Sequence, residues 1–121
     1  MQGEFLMFDP QAGTLTTRFP ILPGYLNPYG TMQGGFIAAA VDNTLGPLSM
    51  LIAPPNFTRH LEMKYSQPVT PDLEHILVAG QYLGQEGRYL KFSAEVRSPL
   101  GTLLARAWAR HWLIAADPAT D

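Results

Sequence analysis

The sequence predicts an α+β fold in which one long helix is covered by an antiparallel sheet, and three observations carry that reading. Alanines and large apolar residues run almost without break from Gly34 to Ile52, a helix-forming composition. After Pro54-Pro55 the pattern changes to alternation, with Leu61, Met63 and Tyr65 interleaved with His60, Glu62 and Lys64. The strand-like runs that follow are joined by short turns built on glycine and proline.

Each element follows from local chemistry. Residues 1–12 are expected to form a leader of loose order. Leu15 to Phe19 is β-prone and predicts a short strand. Pro20, Pro23 and Pro28, with Gly24 and Gly30, make 20–32 a loop. The helix then runs from Gly34 until Pro54-Pro55 stops it. Pro47 removes an intrahelical hydrogen bond, so Gly46-Pro47 is expected to divide the helix into two pieces.

A half-buried strand over Leu61–Tyr65 leads into a turn or edge break at Gln67–Asp72. Strand-like sequence resumes from Ile76 to Leu83, and Gly84-Gln85-Glu86-Gly87 is expected to be a hairpin turn. Leu90, Phe92, Ala94 and Val96 then share one face of the next strand. Ser98-Pro99-Leu100-Gly101 predicts a second turn. The last strand spans Leu103 to Ile114, with Arg106 and Arg110 on the face of Trp108 and Trp112, and residues 115–121 read as a loose tail. The order is a short strand, a long helix and four antiparallel strands. A helix and one sheet face can bury each other in two layers. The second face of the sheet is left for solvent or another subunit.

Composition narrows the function classes. The 121 residues suit one domain, and 46% hydrophobic against 15% charged places the chain outside the disordered class. A formal net charge of −2 leaves no electrostatic footprint for nucleic acid. The absence of cysteine excludes a disulfide framework, a thiolate nucleophile and a thiolate metal site. His60, His75 and His111 lack the spacing of a metal cluster and read as surface or strand histidines. The start, Met1-Gln2-Gly3-Glu4, is acidic where a signal peptide is basic, and Asp42 interrupts the best candidate for the ~20 apolar residues that span a bilayer. A soluble cytoplasmic protein is the expectation.

The chemistry concentrates at the helix. Asp42 lies within its apolar run, and burying an ionised carboxylate without a partner is costly. It is a candidate general base toward water, or a nucleophile; alternatively it is a structural acid satisfied by hydroxyl or backbone groups, or a residue on a solvated helix edge. Gly34 and Gly35 open the same helix, where unpaired N–H groups and the helix dipole favour a developing negative charge. That suits an oxyanion hole, although two glycines also let a helix and a strand pack tightly. Gly34 and Asp42 are eight positions apart, or about 12 Å along a helix. A reacting carbonyl must lie about 3 Å from the donor and from the attacking group. Two antiparallel copies of the helix meet that demand where one does not, which predicts an obligate dimer with composite sites.

Asn27-x-x-Gly30-x-x-Gln33-Gly34-Gly35, followed by Asp42 and Asn43, resembles the signature of hotdog-fold acyl-CoA thioesterases of the phenylacetate-pathway (PaaI-like) type. The resemblance extends from about Pro23 to the last strand. The family pattern places a histidine where this chain has Gln33, with the acid nine positions later, as here. The resemblance implies a hotdog fold, a long central helix wrapped by an antiparallel sheet. It also implies hydrolysis of a small-to-medium or aromatic acyl-CoA to free acid and thiol. Dimers, often paired into tetramers, are implied, with no metal or redox cofactor. By the same resemblance the Gly34 N–H polarises the thioester carbonyl and Asn27 assists there. Asp42 activates or positions water, Thr58 supports the acid, and Gln33 and Gly35 border the substrate. Gln33 can donate a hydrogen bond but cannot titrate near neutral pH, and it can equally be a helix-start residue facing solvent. Its presence favours an alternative, a catalytically silent hotdog domain that binds acyl-CoA or a partner. A hydroxyacyl dehydratase, a third reading, pairs an acid with a histidine near the helix start, and none lies there.

Overall fold

The alternating faces of the strands and the apolar stripe of the helix meet on one side of a single sheet. The computed structural model describes residues 1–114. Its elements are β1 (Glu4–Asp9), β2 (Thr14–Pro20), α1 (Gly34–Ile52), β3 (Asn56–Tyr65), β4 (His75–Glu86), β5 (Tyr89–Arg97) and β6 (Leu103–Leu113). Short 3-10 turns lie at Pro23–Tyr25 and Pro71–Leu73. All pairings are antiparallel and the six strands are ordered β1-β2-β4-β5-β6-β3. The strand that directly follows the helix therefore ends at a sheet edge, beside β6.

The core is the layer between helix and sheet. Ile37, Ala40, Val41, Leu45 and Leu48 of α1 face Ile76 and Val78 of β4, the β5 row Leu90, Phe92, Ala94 and Val96, and the alanines of β6. Leu45 and Leu48 are fully enclosed, and each contributes about 1.5–3 kcal/mol of burial. The helix comes closest at Gly80 of β4, where an added Cβ would stand 2.8 Å from Leu45 Cδ2.

Four expectations need correction. Residues 4–9 are not a loose leader but β1, paired with β2. Every β1 residue is exposed, so no buried alternation marks the strand. Backbone pairing holds it, and Asp9 Oδ1 closes the turn by accepting the Gln11 and Ala12 N–H groups at 3.0 and 3.1 Å. The helix is not divided, because it continues through Pro47, carried by burial of Thr44, Leu45, Leu48 and Ser49 on either side. Gly84 is not part of the hairpin turn: β4 runs on to Glu86, which pairs with Tyr89, so the turn is Gly87-Arg88. Gly84 instead serves a bulge, with φ +127° at the register shift after Tyr82. The 19 residues of α1, with mean hydropathy 1.3, do have the length and composition of a span despite Asp42. Here one face of that helix is packed under the sheet. The expected loose tail at 115–121 lies outside the described residues.

Gly80→Val will force a branched side chain into the closest helix–sheet contact and lower stability by about 2 kcal/mol, read as a reduced urea midpoint in equilibrium unfolding.

Candidate active site

The loop before α1 is built to hold its tip. Asn27 Oδ1 accepts the N–H groups of Tyr29 and Thr31 at 2.9 and 3.1 Å, and its Nδ2 donates to Thr31 Oγ1 at 2.8 Å. Asn27 thus closes its own loop, and one amide hydrogen remains beyond these contacts. Tyr25 stacks on Phe36 with ring centroids 4.5 Å apart. The Gln33 N–H donates to the Tyr25 carbonyl at 2.8 Å, and the Gln33 carbonyl accepts from Phe36 and Ile37. The Gln33 side chain is exposed and makes no capping hydrogen bond. The N–H groups of Gly34 and Gly35 have no acceptor among the described residues. They are the free donors expected of a helix start.

Asp42 lies two turns further along α1. It is exposed in the single chain, on a solvated edge of the helix, rather than buried among its apolar neighbours in sequence. Its partner is Thr58 near the start of β3, whose hydroxyl donates to Asp42 Oδ1 at 2.8 Å. At the other end of β3, the Tyr65 hydroxyl donates to the Gly34 carbonyl at 2.7 Å. One strand therefore ties down both ends of the site. The donors at Gly34 and the acid at Asp42 remain about 12 Å apart along the helix of one chain.

The residue that sequence reasoning missed is His111. It is a strand residue, on β6, but not a surface one, being 1% exposed with its ring against Phe92. Its Nε2 is 3.3 Å from Thr58 Oγ1 and its Nδ1 is 2.8 Å from Asn56 Oδ1. Asn56 Nδ2 donates to the Pro54 carbonyl at 2.9 Å, so the amide oxygen is the atom turned to the ring. That arrangement places the imidazole proton on Nδ1 and leaves Nε2 a lone pair in the neutral ring. Thr58 has a single proton, which it gives either to Asp42 or to Nε2. A run of polar groups, Asn56–His111–Thr58–Asp42, thus leads from the core to the helix surface. The only sequence signal was a histidine at an inward position of an alternating strand.

Most of the basic residues are in ion pairs or stacks. Lys91 pairs with Glu86, and Arg97 and Arg106 both reach Glu95. Arg59 and Arg88 stand over the Trp112 ring at 4.3 and 4.7 Å. A concavity of about 580 Å³ lies between Arg59, Lys91, Trp108 and Arg110, and neither Gly34 nor Asp42 lines it. A cleft of about 410 Å³ does reach the helix tip, between Met32, Gly34, Ile37, Tyr65 and Val69. The free donors and the hydrogen-bonded acid both lie on the helix, away from that larger concavity.

The sequence matches no family model and no curated protein sequence. Solved structures do match. A candidate thioesterase from Ralstonia eutropha, described as related to phenylacetic acid degradation, is 21% identical with a TM-score of 0.84, covering 92% of this chain and 84% of its own. A Streptococcus mutans protein bound to acetyl-CoA is 17% identical with a TM-score of 0.86, covering 94% and 90%. A hypothetical thioesterase from Streptococcus pneumoniae, solved with coenzyme A, is 14% identical with a TM-score of 0.85, covering 93% and 86%. Variants of such a pneumococcal protein, Asp to Ala and Thr to Ala at positions sixteen apart, match as well. The fold is the hotdog fold that the resemblance implied.

Burial pushes the His111 imidazole below its ordinary 6.5, and the nearby Asp42 carboxylate opposes that shift. The unfolded chain therefore takes up this proton more readily than the folded one. The stability contributed by neutral His111 will be complete above about pH 6.5 and lost as pH falls through the lower folded value. Urea unfolding from pH 7.5 to 5 should show that decline, and His111→Gln should flatten it.

Proposed function

We propose that this chain is an acyl-CoA thioesterase that works as a dimer, with each site formed by the helix tip of one protomer and Asp42 of the other. The observation that carries the reading is the Thr58–Asp42 hydrogen bond on the helix whose first amides, at Gly34 and Gly35, are free. The separation of Thr58 from Asp42 is sixteen positions, equal to that between the aspartate and threonine replaced in the pneumococcal thioesterase variants. Coenzyme A and acetyl-CoA in the streptococcal structures support a coenzyme A thioester as ligand.

In the proposed reaction a water molecule, oriented by Asp42 and Thr58, attacks the thioester carbonyl carbon while Asp42 takes its proton. The carbonyl oxygen becomes an oxyanion facing the Gly34 and Gly35 N–H groups and the positive end of the helix dipole. The C–S bond then breaks, Asp42 returns its proton to the departing thiolate, and the acid and the thiol leave. Asn27 holds the loop that aims these amides, and Gln33 and Gly35 border the substrate. His111 holds Thr58 in place from beneath. The exposed edge of the ten-residue β3 suits pairing with the same strand of a second copy, which would bring the two helices side by side. An acyl group of small-to-medium or aromatic type is the substrate class, and the cytoplasm the compartment.

Gln33 favours a second reading, a silent hotdog module that binds acyl-CoA without turnover, because an exposed amide cannot exchange protons near neutral pH. Thiol release across an acyl-CoA panel separates the two. Turnover that falls at least 10²-fold in Asp42→Asn, with the melting temperature held, supports the enzyme. Coenzyme A binding without any thiol release supports the module.

The composite site has its own test. Asp42→Asn and Gly35→Pro chains, the first without the acid and the second without a helix-tip amide donor, should each lose activity alone and regain about a quarter of wild-type activity when equal amounts are unfolded and refolded together. Half of the dimers are then mixed, and each mixed dimer holds one intact site. Mixtures that stay inactive, while mixed dimers are demonstrated by mass spectrometry, refute sites shared between protomers.

A further inference from the structure

The two glycines that open α1 stand in different surroundings. At Gly34 an added Cβ would lie 3.0 Å from Tyr65 Cζ and 3.1 Å from its hydroxyl oxygen. Gly34 is therefore bare because the Tyr65 ring rests on it. At Gly35 an added Cβ would meet nothing within 4 Å, and the residue is exposed without a positive φ. Glycine weakens a helix relative to alanine, and no neighbour within the described residues repays that at Gly35. Its bareness serves something that approaches from outside the chain.

The Tyr65 hydroxyl adds a second effect. It donates to the Gly34 carbonyl at 2.7 Å, and that carbonyl shares a planar peptide with the Gly35 N–H. A hydrogen bond drawn onto the oxygen polarises the whole peptide and strengthens its N–H as a donor. It also fixes the plane, and hence the direction in which that N–H points. Burial pushes the Tyr65 phenol above its ordinary 10.0, so it remains a donor through neutral pH. Tyr65 also forms part of the wall of the cleft that reaches the helix tip.

We propose that Tyr65 is a positioning residue for the thioester oxyanion, acting through the Gly34–Gly35 peptide, and that Gly35 is the position the ligand carbonyl approaches. Its catalytic consequence rests on the thioesterase reading above. Tyr65→Phe keeps the ring over Gly34 and removes only the hydroxyl. It should lower kcat about three- to tenfold with KM near wild type, while the melting temperature falls by no more than the few degrees that one exposed hydrogen bond accounts for. The Gly35 amide proton should move upfield in the NMR spectrum of the free Tyr65→Phe protein. Gly35→Ala should lose at least tenfold in kcat/KM while its melting temperature holds or rises, the reverse of a structural glycine. An active wild type with an indifferent Tyr65→Phe, an unmoved Gly35 amide, or a fully active Gly35→Ala overturns this inference and leaves the thioesterase reading intact. A wild type without turnover on any acyl-CoA overturns both, and the Asp42→Asn control shows that the assay reads this site.

Discussion

One helix has to be buried by one sheet, and the sheet achieves this only by wrapping it. α1 touches β2, β3, β4 and β5, so its apolar stripe is covered from both flanks as well as from below. The wrap is tightest at Gly80, where the lack of a side chain lets Leu45 and Thr44 come down onto β4. From that constraint the chain order follows. The strand leaving the helix cannot join the middle of the sheet, which β4, β5 and β6 fill by short connections, and so it becomes an edge.

The edge position of β3 is what sets the polar contacts of the helix. A strand running beside α1 can reach it at two points, with Thr58 on Asp42 and Tyr65 on Gly34. The same strand keeps one edge open. Amides at the helix tip and an acid two turns on are held apart by a helix that cannot shorten, about 12 Å by its rise. In the proposed dimer a second chain along the open edge would bring the two groups together, and it would cover exposed apolar residues of the single chain such as Phe57.

Beneath the acid lies an unusual allocation of polar groups. His111 sits in a layer otherwise filled by Phe92, Leu90 and the β6 alanines, where an unpaired imidazole would be costly. Asn56 and Thr58, both on β3, face its two nitrogens, with Asn56 Oδ1 at 2.8 Å from Nδ1 and Thr58 Oγ1 at 3.3 Å from Nε2. Thr58 thus has one role toward the core and another toward Asp42, with one proton to serve them. The protonation state of a buried ring is in this way linked to the hydrogen bonding of a surface carboxylate.

Features that depend on neighbours along the chain could be read from the residues alone. The extent of α1, the faces of β5 and β6, the turn at Ser98–Gly101, and the glycines and acid at fixed helical spacing were all legible, because period and turn chemistry are local. Strand β1 was not, since all its side chains are exposed and its order comes from pairing with β2. The unbroken helix at Pro47 and the turn at Gly87-Arg88 were decided by packing and by register. Tertiary structure alone decided that β3 is an edge, that His111 stands under Thr58, and that Tyr65 rests on Gly34. Those contacts join residues 53 and 31 positions apart, and no local pattern encodes which distant side chain will arrive.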